Sequence, residues 1–267
     1  MITADKMSNA QYHATEDISS SDVKAVHSKS LAHWKHRAAF KPTTAMAIGT
    51  AVHDMCLENG ESTVRGGADR RGKQWSEAFA EAEAHGHLLL TAGDYDLARD
   101  VADSVMFHPV GRKMAGPDTI NEASFFAECP MTGLGIKCRP DSYDEDSGVI
   151  FDIKTCQSSA PRDVEADIRK YVYSLQSAYY MYVLQNAGYK ATRFVFVFVE
   201  KTAPFAVNCC ELTKEYIEWA DAQMHKALRD IKTANDTQTW DTGYSIGINA
   251  VDIPPWLAQD AASTDDF

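Results

Sequence analysis

Residues 138–154 read CRPDSYDEDSGVIFDIK, and this stretch decides the fold. It predicts a strand, a tight acidic turn and a second strand, with Asp141 near the end of the first strand and Asp152 and Lys154 in the second. Side chains at positions i and i+2 of a strand point to the same face. Asp152 and Lys154 therefore project together, and a hairpin brings Asp141 beside them. Two carboxylates and an ammonium group that converge at a strand end suit a divalent metal and a polarised water.

An ordinary ion pair is the alternative interpretation of the same residues. Asp141 can simply open the acidic turn 144–148, and Asp152 and Lys154 can form a structural pair on one face. Charge is costly inside an apolar strand unless it is paired or binds a metal. A functional site is favoured because the second strand is apolar around the charged pair, at Val149, Ile150, Phe151 and Ile153.

Length and composition describe a globular protein with a sizeable core. The chain has 267 residues, of which 45% are hydrophobic, enough for one large domain or a domain with a helical annex. The sequence contains no apolar run long enough to span a membrane. The N-terminal residues MITADKMSNAQYHATED are polar and lack the apolar segment of a secretory signal. We therefore expect a cytoplasmic protein that is not associated with a membrane.

Cysteine spacing and net charge exclude further classes. The six cysteines form no C-x-x-C motif, so neither a zinc ribbon nor an iron–sulfur cluster is expected, and reduced thiols are the default. The net charge of −12 argues against a protein that coats nucleic acid non-specifically. It leaves room for an enzyme with a local basic groove.

The order of elements predicts an α/β fold. Residues 1–17 are expected to be an extended lead-in. Helices are predicted at 19–39, 45–58, 74–85, 91–106, 172–187 and 213–232. Strands are predicted at 121–128, 134–142, 148–154, 193–199 and 205–212. The pattern favours a mixed central sheet flanked by helices, with an N-terminal helical cap.

Three parts of the chain are expected. Residues 1–117 form a helical part packed on the core, 118–235 the core itself, and 236–267 a C-terminal tail, together making one structural domain. The basic, glycine-rich segment 61–73 is interpreted as a loop that is mobile or touches substrate, and 109–117 as a break. Within the last helix Trp219 is expected on the apolar face, and Pro254-Pro255-Trp256 is expected to dock as an anchor.

Four further residues are candidates for a site beside the hairpin, namely Glu122, Gln176, Tyr180 and His53. Glu122 begins the preceding strand; alone it would face solvent, but next to two aspartates it can bind a metal or orient a ligand. Gln176 and Tyr180 share one helix face at i, i+4. They either pack in the core or face the hairpin, where they contact phosphate or support its lysine. His53 is either structural or a ligand, and its small neighbours at 49–51 permit the close approach that a site needs.

In their order along the chain, these residues resemble the PD-(D/E)XK nuclease superfamily, in its RecB-like branch. Pro140-Asp141 supplies the PD, Asp152-Ile153-Lys154 the D-x-K, and Gln176-x-x-x-Tyr180 the helical motif. The D-x-K piece alone is weakly specific. Residues from about 9 to 258 resemble the nuclease domain of the RecE-type exonucleases (exodeoxyribonuclease VIII) of phages and prophages, through YHATEDISSSDVKAVHSKSLAHWK, IGTAVHDMCLE, GADRRGKQWSEAF, CRPD, DIKT and PPWL.

This resemblance implies a restriction-endonuclease-like core and a Mg²⁺-dependent 5′→3′ exonuclease, with Mn²⁺ as a substitute metal. Such an enzyme degrades one strand of double-stranded DNA from its ends and leaves 3′ overhangs for recombination by single-strand annealing. The resemblance also implies a ring-shaped homo-oligomer, a tetramer, together with a single-strand annealing partner in the cytoplasm of the bacterial host.

The resemblance also implies roles for individual residues. Asp141, Asp152 and the Ile153 carbonyl would bind Mg²⁺, with His53 as an additional ligand. Glu122 would support the metal or its water, so that Asp141, Asp152 and Glu122 act with Lys154 in catalysis. Lys154 would position the attacking water, and Gln176 and Tyr180 would hold the DNA or the lysine. Candidate phosphate contacts, for which a solvated loop is the alternative, are Arg65, Arg70, Arg71 and Lys73.

Other functions stay open at this point. A structure-specific or restriction-like endonuclease would keep the fold but cut DNA without ends. A non-catalytic DNA-binding or assembly module is a second alternative, and a small-molecule hydrolase that uses the same carboxylates is a third. The intact Asp141, Asp152 and Lys154 argue against the non-catalytic module.

Overall fold

A computed structural model of the chain describes residues 7–38, 43–244 and 247–254. Its helices are α1 (Asn9–Ala14), α2 (Ser20–Ser28), α3 (Leu31–Lys35), α4 (Thr44–Leu57), α5 (Gly72–Ala84), α6 (Ala92–Phe107), α7 (Pro109–Met114), α8 (Pro161–Lys170), α9 (Tyr173–Asn186) and α10 (Lys214–Thr237). Its strands are β1 (Thr63–Arg65), β2 (Leu88–Leu90), β3 (Thr119–Asn121), β4 (Phe125–Glu128), β5 (Gly135–Cys138), β6 (Ser142–Asp144), β7 (Val149–Cys156), β8 (Arg193–Glu200) and β9 (Val207–Cys210).

A mixed five-stranded sheet lies at the centre, in the order β3-β6-β7-β8-β9. The predicted hairpin is present, because β6 pairs antiparallel with β7 across the acidic turn. Strand β7 then pairs in parallel with β8 along its whole length. Two small ladders accompany this sheet, the parallel pair β1-β2 and the hairpin β4-β5. The arrangement confirms the predicted α/β class.

Both faces of β7 and β8 are buried, which explains why these strands read as nearly continuous apolar runs. One face packs with α2, α9 and α10 in a core that includes Ile150, Phe194, Phe196 and Phe198. The other face packs with α4 and α6 in a core that includes Val149, Phe151, Ile153, Val195, Val197 and Val199. The central sheet is therefore enclosed between two helical layers. In the described part of the chain, no helix has the length and apolar character needed to cross a bilayer.

The N-terminal segment is bound to the hairpin β4-β5 and is not an extended lead-in. Residues 9–14 form α1, and the buried Lys137 donates to the carbonyl oxygens of Tyr12 at 2.7 Å and Thr15 at 2.9 Å. The Arg139 guanidinium lies 4.5 Å from the centre of the Tyr12 ring. The prediction of extended structure was therefore wrong over residues 9–14, because contacts with a distant hairpin stabilise a short helix there.

Two predicted strands are each divided between different ladders. The segment 121–128 contains the end of β3 and all of β4, and Glu122 between them has a left-handed φ of 50°. The segment 134–142 contains β5 and the start of β6, separated at 139–141. The bends move β4 and β5 out of the central sheet into their own hairpin. Both predictions of single strands were therefore wrong at these bends.

Several helices also differ from the prediction. The helix expected over 19–39 ends at Ser28, and a separate helix α3 starts after Ser30, whose side chain accepts a hydrogen bond from the His33 amide. The expected loop 61–73 contains β1, and the expected break at 109–117 contains α7. Helix α8 begins at Pro161, in a segment for which no helix was predicted.

The C-terminal helix buries a different face from the one predicted. Trp219 is 45% exposed, and its ring packs edge-on against His27. The side chains that α10 buries are small or aliphatic, at Ala220, Met224, Ala227, Leu228, Ile231 and Ala234. The placement of Trp219 on the apolar face was therefore wrong. Of the expected anchor 254–256, Pro255 and Trp256 lie outside the described residues.

Candidate metal centre and active site

The site begins where β7 loses a neighbour. Strand β6 pairs with β7 only over Val149–Phe151, so the next residues of β7 are paired on the β8 side. Asp141, just before β6, occupies the open edge, where its Oδ2 accepts a hydrogen bond of 2.6 Å from the amide of Ile153. Because a buried amide without a partner is costly, this carboxylate takes the place of the missing strand. Asp141 is consequently held at a fixed position although it lies in a bend.

Three possible metal ligands meet beside this edge. The Glu122 amide donates to the Asp141 carbonyl at 3.1 Å, which joins the two bends. His53 Nδ1 lies 3.3 Å from Asp141 Oδ1 and 3.7 Å from Glu122 Oε1. One ligand atom from each of His53, Glu122 and Asp141 lies within 4.8 Å of the others. Two carboxylates and an imidazole this close form a donor set that fits a divalent cation such as Mg²⁺ or Mn²⁺.

Helix α4 brings His53 to the centre by a close approach to β7. A methyl group added at Gly49 would lie 3.6 Å from Thr155 Oγ1, an ordinary van der Waals distance, so the gap between the helix and the strand there is about one methyl group wide. Asp54, next to His53, accepts a hydrogen bond of 2.6 Å from the Thr63 hydroxyl and holds β1 to the same helix. The small residues around position 49 thus allow the approach that the sequence suggested.

Asp152 and Lys154 form a second group, on the face of β7 that carries Ile150 and packs with α9. Asp152 is 1% exposed, and its Oδ2 contacts the Lys154 ammonium. Its Oδ1 accepts a hydrogen bond of 2.7 Å from Gln176 Nε2. The Gln176 Oε1 in turn accepts from Lys24 Nζ at 3.5 Å. An ammonium group can only donate, so Lys24 orients the Gln176 amide with its NH₂ towards Asp152.

The metal-ligand cluster concentrates negative charge around His53. Burial lowers the pKa of His53, but Asp141 and Glu122 outweigh it and hold that pKa well above the usual value. Burial raises the pKa of Asp141, but His53, Lys154 and the Ile153 amide outweigh it and lower the pKa. Burial raises the pKa of Glu122. His53 is therefore a cation at neutral pH in the metal-free protein. Its positive charge lies beside the carboxylates of Asp141 and Glu122, whose negative charge a bound metal ion would otherwise neutralise.

The second group keeps its lysine charged. Burial raises the pKa of Asp152 to about 6, so its carboxyl is ionised at neutral pH. Burial lowers the pKa of Lys154, but Asp152 and Asp141 outweigh it and raise the pKa above the usual value. Burial, with Lys154 nearby, lowers the pKa of Lys24 to about 8. Lys154 can thus act as a fixed positive charge but not as a general base.

Most of the residues singled out in the sequence lie together. His53, Glu122 and Asp141 form the metal-ligand cluster, whereas Asp152 faces Lys154 and Gln176. The Tyr180 ring packs edge-on against Phe194, at 6.1 Å between centroids. Burial raises the pKa of Tyr180 well above 10, with Asp152 and Asp141 adding to the rise, so its hydroxyl stays protonated.

The four basic residues at the end of β1 and after it make their contacts away from the metal-ligand cluster. Arg65 pairs with Asp96 at 2.8 Å, Arg70 with Asp94 at 3.1 Å and Lys73 with Glu77 at 3.4 Å. Arg71 precedes α5, and its amide donates to Asp69 Oδ1 at 2.9 Å. The hydrogen bonds and ion pairs of the described residues do not connect these side chains to the metal-ligand cluster.

Two residues of the site were missed in the sequence. Lys24 lies on α2 between the buried Val23 and Val26, and its contact with Gln176 spans most of the chain. Tyr173 packs under Lys154, with its ring centre 4.8 Å from the lysine Nζ. Tyr173 could have been found, because it stands at i, i+3 and i+7 with Gln176 and Tyr180 and therefore shares their helix face. Lys24 carried no comparable signal.

The family comparison agrees with this architecture. Residues 19–245 match a PDDEXK-like domain of unknown function (DUF3799). The chain belongs to this PDDEXK-like family. The matched range contains the metal-ligand cluster as well as Asp152, Lys154 and Gln176. A search of curated proteins found no match to the sequence.

One solved structure shares the fold at low sequence identity, and another aligns with a lower score. The crystal structure of "Putative exonuclease" from Eubacterium rectale aligns with a TM-score of 0.60 and 18% identity, over 97% of this chain and 99% of that chain. A phage related exonuclease from Haemophilus somnus 129PT aligns with a TM-score of 0.37 and 11% identity, over 86% of this chain and 100% of that chain. The first similarity supports a common fold, and at this identity it supports nothing beyond the fold.

Proposed function

We propose that the protein is a divalent-metal-dependent DNA nuclease that hydrolyses phosphodiester bonds. One observation carries the proposal: the metal-ligand cluster and the Asp152–Lys154 pair meet at the open edge of β7, where Asp141 binds the Ile153 amide and acts electrostatically on both Asp152 and Lys154. Membership of the PDDEXK-like family supports it, because the family pattern pairs acidic metal ligands with such a lysine. A purely structural ion pair would not require the additional cluster of His53, Glu122 and Asp141.

The metal would be held by His53, Glu122 and Asp141. Asp152 and the Ile153 carbonyl are proposed as further ligands. The amide and carbonyl of one strand residue point to the same edge of a sheet, so the Ile153 carbonyl shares the open edge with the amide that Asp141 binds. When bound, a divalent cation supplies Lewis-acid stabilisation of phosphate charge. Mg²⁺ is the proposed metal and Mn²⁺ a substitute that the histidine ligand favours.

Lys154 is proposed to position the attacking water and to offset the negative charge that grows on the phosphate. The water oxygen attacks phosphorus, the bond to the 3′ oxygen breaks, and the leaving oxygen takes up a proton, which yields a 5′-phosphate and a 3′-hydroxyl. Gln176 holds Asp152 by its hydrogen bond and thereby keeps Lys154 in place. Tyr180, whose hydroxyl stays protonated, is proposed as a donor to the DNA.

The finer features of the proposal come from the resemblance to the RecE-type exonucleases. They are 5′→3′ degradation of one strand from duplex ends, 3′ overhangs for single-strand annealing, a ring-shaped tetramer and an annealing partner in the bacterial cytoplasm. Contacts with phosphates further from the cleaved bond are proposed for Arg65, Arg70, Arg71 and Lys73. Arg65, Arg70 and Lys73 would each have to break an ion pair with a carboxylate before contacting DNA.

The test uses linear duplex DNA and the same DNA as a closed circle, each with and without Mg²⁺. We expect metal-dependent loss of the linear form alone, and end-labelled substrates report the polarity. Asp152→Asn and Lys154→Ala should each lower the rate by at least about 10²-fold, the scale of losing one electrostatic contact to the transition state.

Matched controls come from the turn of the same hairpin and from a lysine between α9 and β8 that contacts this turn. Asp144 bonds the Ser147 hydroxyl and Lys190 bonds the Asp146 carbonyl, both at the turn away from the open edge. Asp144→Asn and Lys190→Ala should therefore cleave like the wild type. Cutting of the closed circle would favour the endonuclease alternative. Normal cleavage by Asp152→Asn or Lys154→Ala would exclude the assigned site.

A further inference from the structure

Lysine and tyrosine side chains lie next to Lys154. The Lys154 Nζ lies 4.8 Å from the centre of the Tyr173 ring, and Lys24 Nζ lies 5.5 Å from the centre of the same ring. Tyr173 is anchored from below by the rings of Phe196 at 6.0 Å and Phe198 at 6.2 Å. A packed aromatic ring thus contacts two ammonium groups beside the proposed catalytic centre.

The series reaches solvent through a second tyrosine. The Tyr171 ring lies 5.5 Å from that of Tyr173, with 32° between the planes, and Tyr171 is 45% exposed. The Lys170 Nζ lies 4.9 Å from the centre of the Tyr171 ring. We call these five residues the tyrosine–lysine strip: Lys154, Tyr173, Lys24, Tyr171 and Lys170.

A strained backbone holds the two tyrosines together. Val172, between them, has φ 53° and ψ 45°, a left-handed conformation that is unfavourable for a β-branched residue. In a continuous helix, residues at i and i+2 do not face each other. The turn at Val172 separates α8 from α9 and allows the flanking rings to meet. Such strain persists where the surrounding structure enforces it, and it is concentrated at functional sites.

The chemistry of the strip matches unpaired nucleotides. Single-stranded nucleic acid is bound by aromatic rings that stack on bases and by cations that follow the phosphates. The strip places three lysines beside two rings on a chain whose net charge is −12, so its positive charge is local and not a property of the whole surface. Two carboxylates act on the strip: Asp152 pairs with Lys154, and Asp167 lies near enough to Tyr173 to raise the pKa of that tyrosine.

We propose that the tyrosine–lysine strip binds the unpaired nucleotides of the cleaved strand next to the phosphate held at Lys154. Tyr171 and Tyr173 stack on bases, while Lys24 and Lys170 contact the flanking phosphates. The inference rests on the proposed nuclease function and deepens it, because it assigns a single-stranded subsite to an enzyme that acts on duplex ends. A terminal base pair would have to open before its strand could occupy the strip.

The test measures binding without cleavage. Fluorescence anisotropy would follow a short labelled oligo(dT) with Ca²⁺ in place of Mg²⁺, for wild type, Tyr171→Ala, Tyr171→Phe and Phe107→Ala. Phe107 is a matched control, since it is an exposed aromatic residue at the end of α6. Tyr171→Ala should weaken binding by about 5- to 150-fold, the range for losing one base–aromatic stack. Tyr171→Phe and Phe107→Ala should bind like the wild type.

An abasic oligonucleotide separates stacking from charge. If bases stack on Tyr171 and Tyr173, the wild type should bind the abasic chain at least as weakly as Tyr171→Ala binds oligo(dT), and the Tyr171 substitution should then have no further effect. Equal binding of oligo(dT) by Tyr171→Ala and wild type would overturn the proposal. The proposal would also be overturned if Tyr171→Ala weakened binding of the abasic chain by the same factor as it weakened binding of oligo(dT). Thermal unfolding checks that each variant is folded.

Failure of the subsite and failure of the nuclease proposal give different results. A protein that degrades linear DNA but binds oligo(dT) independently of Tyr171 would refute the strip alone. A protein whose Tyr171-dependent binding persists without any cleavage would support the strip and refute the nuclease. Absence of both binding and cleavage would refute both.

Discussion

At the scale of single residues, His53 is the clearest sign that the cluster is built for a cation. Two carboxylates within 3.7 Å keep the imidazole protonated in the metal-free protein. A histidine must be neutral to bind a metal, so binding has to displace that proton. The positive charge of the imidazolium then occupies the place that a metal charge would take between Asp141 and Glu122.

Metal binding should therefore release a proton near neutral pH. We expect about one proton per bound Mn²⁺, because the pKa of His53 lies well above its usual value and falls below the ambient pH once the metal is coordinated. Metal affinity should correspondingly rise with pH until it passes the raised pKa. Calorimetric titrations in buffers of different ionisation enthalpy measure the released proton directly.

His53→Gln is the matched variant for this measurement. It retains a side chain that can contact Asp141 and Glu122 but has no proton to lose. Its binding should be weaker and nearly independent of the buffer. Equal proton release from wild type and His53→Gln would assign the proton to another group and contradict the expected protonation of His53.

The sequence predicted one part of the site well and the other poorly. Asp152 and Lys154 follow from the two-residue period of a strand, and Asp141 follows from the short hairpin, because these relations are local. Glu122 was a candidate, but its position depends on a left-handed backbone bend that the sequence did not predict. The contact between Lys24 and Gln176 depends on how α2 packs against α9, which no local pattern encodes.

At the scale of elements, the errors occurred where one apolar run serves two ladders. Segments 121–128 and 134–142 alternate like single strands, yet each leaves the central sheet at a bend. Pro140 was the available signal, since a proline cannot donate to a ladder and restricts the residue before it. The same bends place Glu122 and Asp141 at the metal-ligand cluster. The bends that made the two strand predictions wrong are therefore the same bends that form the site.

The junction of α6 and α7 offers a test of packing between elements. A methyl group added at Gly111 would lie 1.9 Å from the carbonyl oxygen of Val105, which is rigid helix backbone. Gly111→Ala must therefore separate the two helices, and we expect a loss of about 2 to 3 kcal/mol in the free energy of unfolding. Denaturant unfolding of the metal-free protein measures it.

Gly93→Ala provides the control, on helix α6, which also carries Val105. A methyl group there meets nothing within 4 Å. The substitution should leave stability unchanged or raise it by up to about 1 kcal/mol, because alanine restricts the unfolded chain more than glycine does. Comparable destabilisation by both substitutions would show that the contact with Val105 is not the cause of the loss at Gly111.

At the scale of the whole molecule, the net charge of −12 opposes the approach of DNA. A nuclease with this charge must bind through a limited cationic surface, and the number of phosphates neutralised there sets how steeply affinity falls with salt. Two surfaces compete for that role. The tyrosine–lysine strip adjoins Lys154, whereas Arg65 and Arg70 pair with Asp96 and Asp94 on α6.

The salt dependence of single-strand binding should distinguish the two surfaces. Each phosphate contact of a single strand contributes about 0.7 to the slope of log affinity against log salt, so Lys170→Gln should reduce the slope by about that amount. The double variant Arg65→Gln, Arg70→Gln should change it less, because each arginine would exchange a carboxylate for a phosphate with little net gain of charge contact. Anisotropy at several salt concentrations with Ca²⁺ gives both slopes. A larger change in the arginine variant would place the bound strand over β1 and α6, and the acidic surface would then have to rearrange on binding.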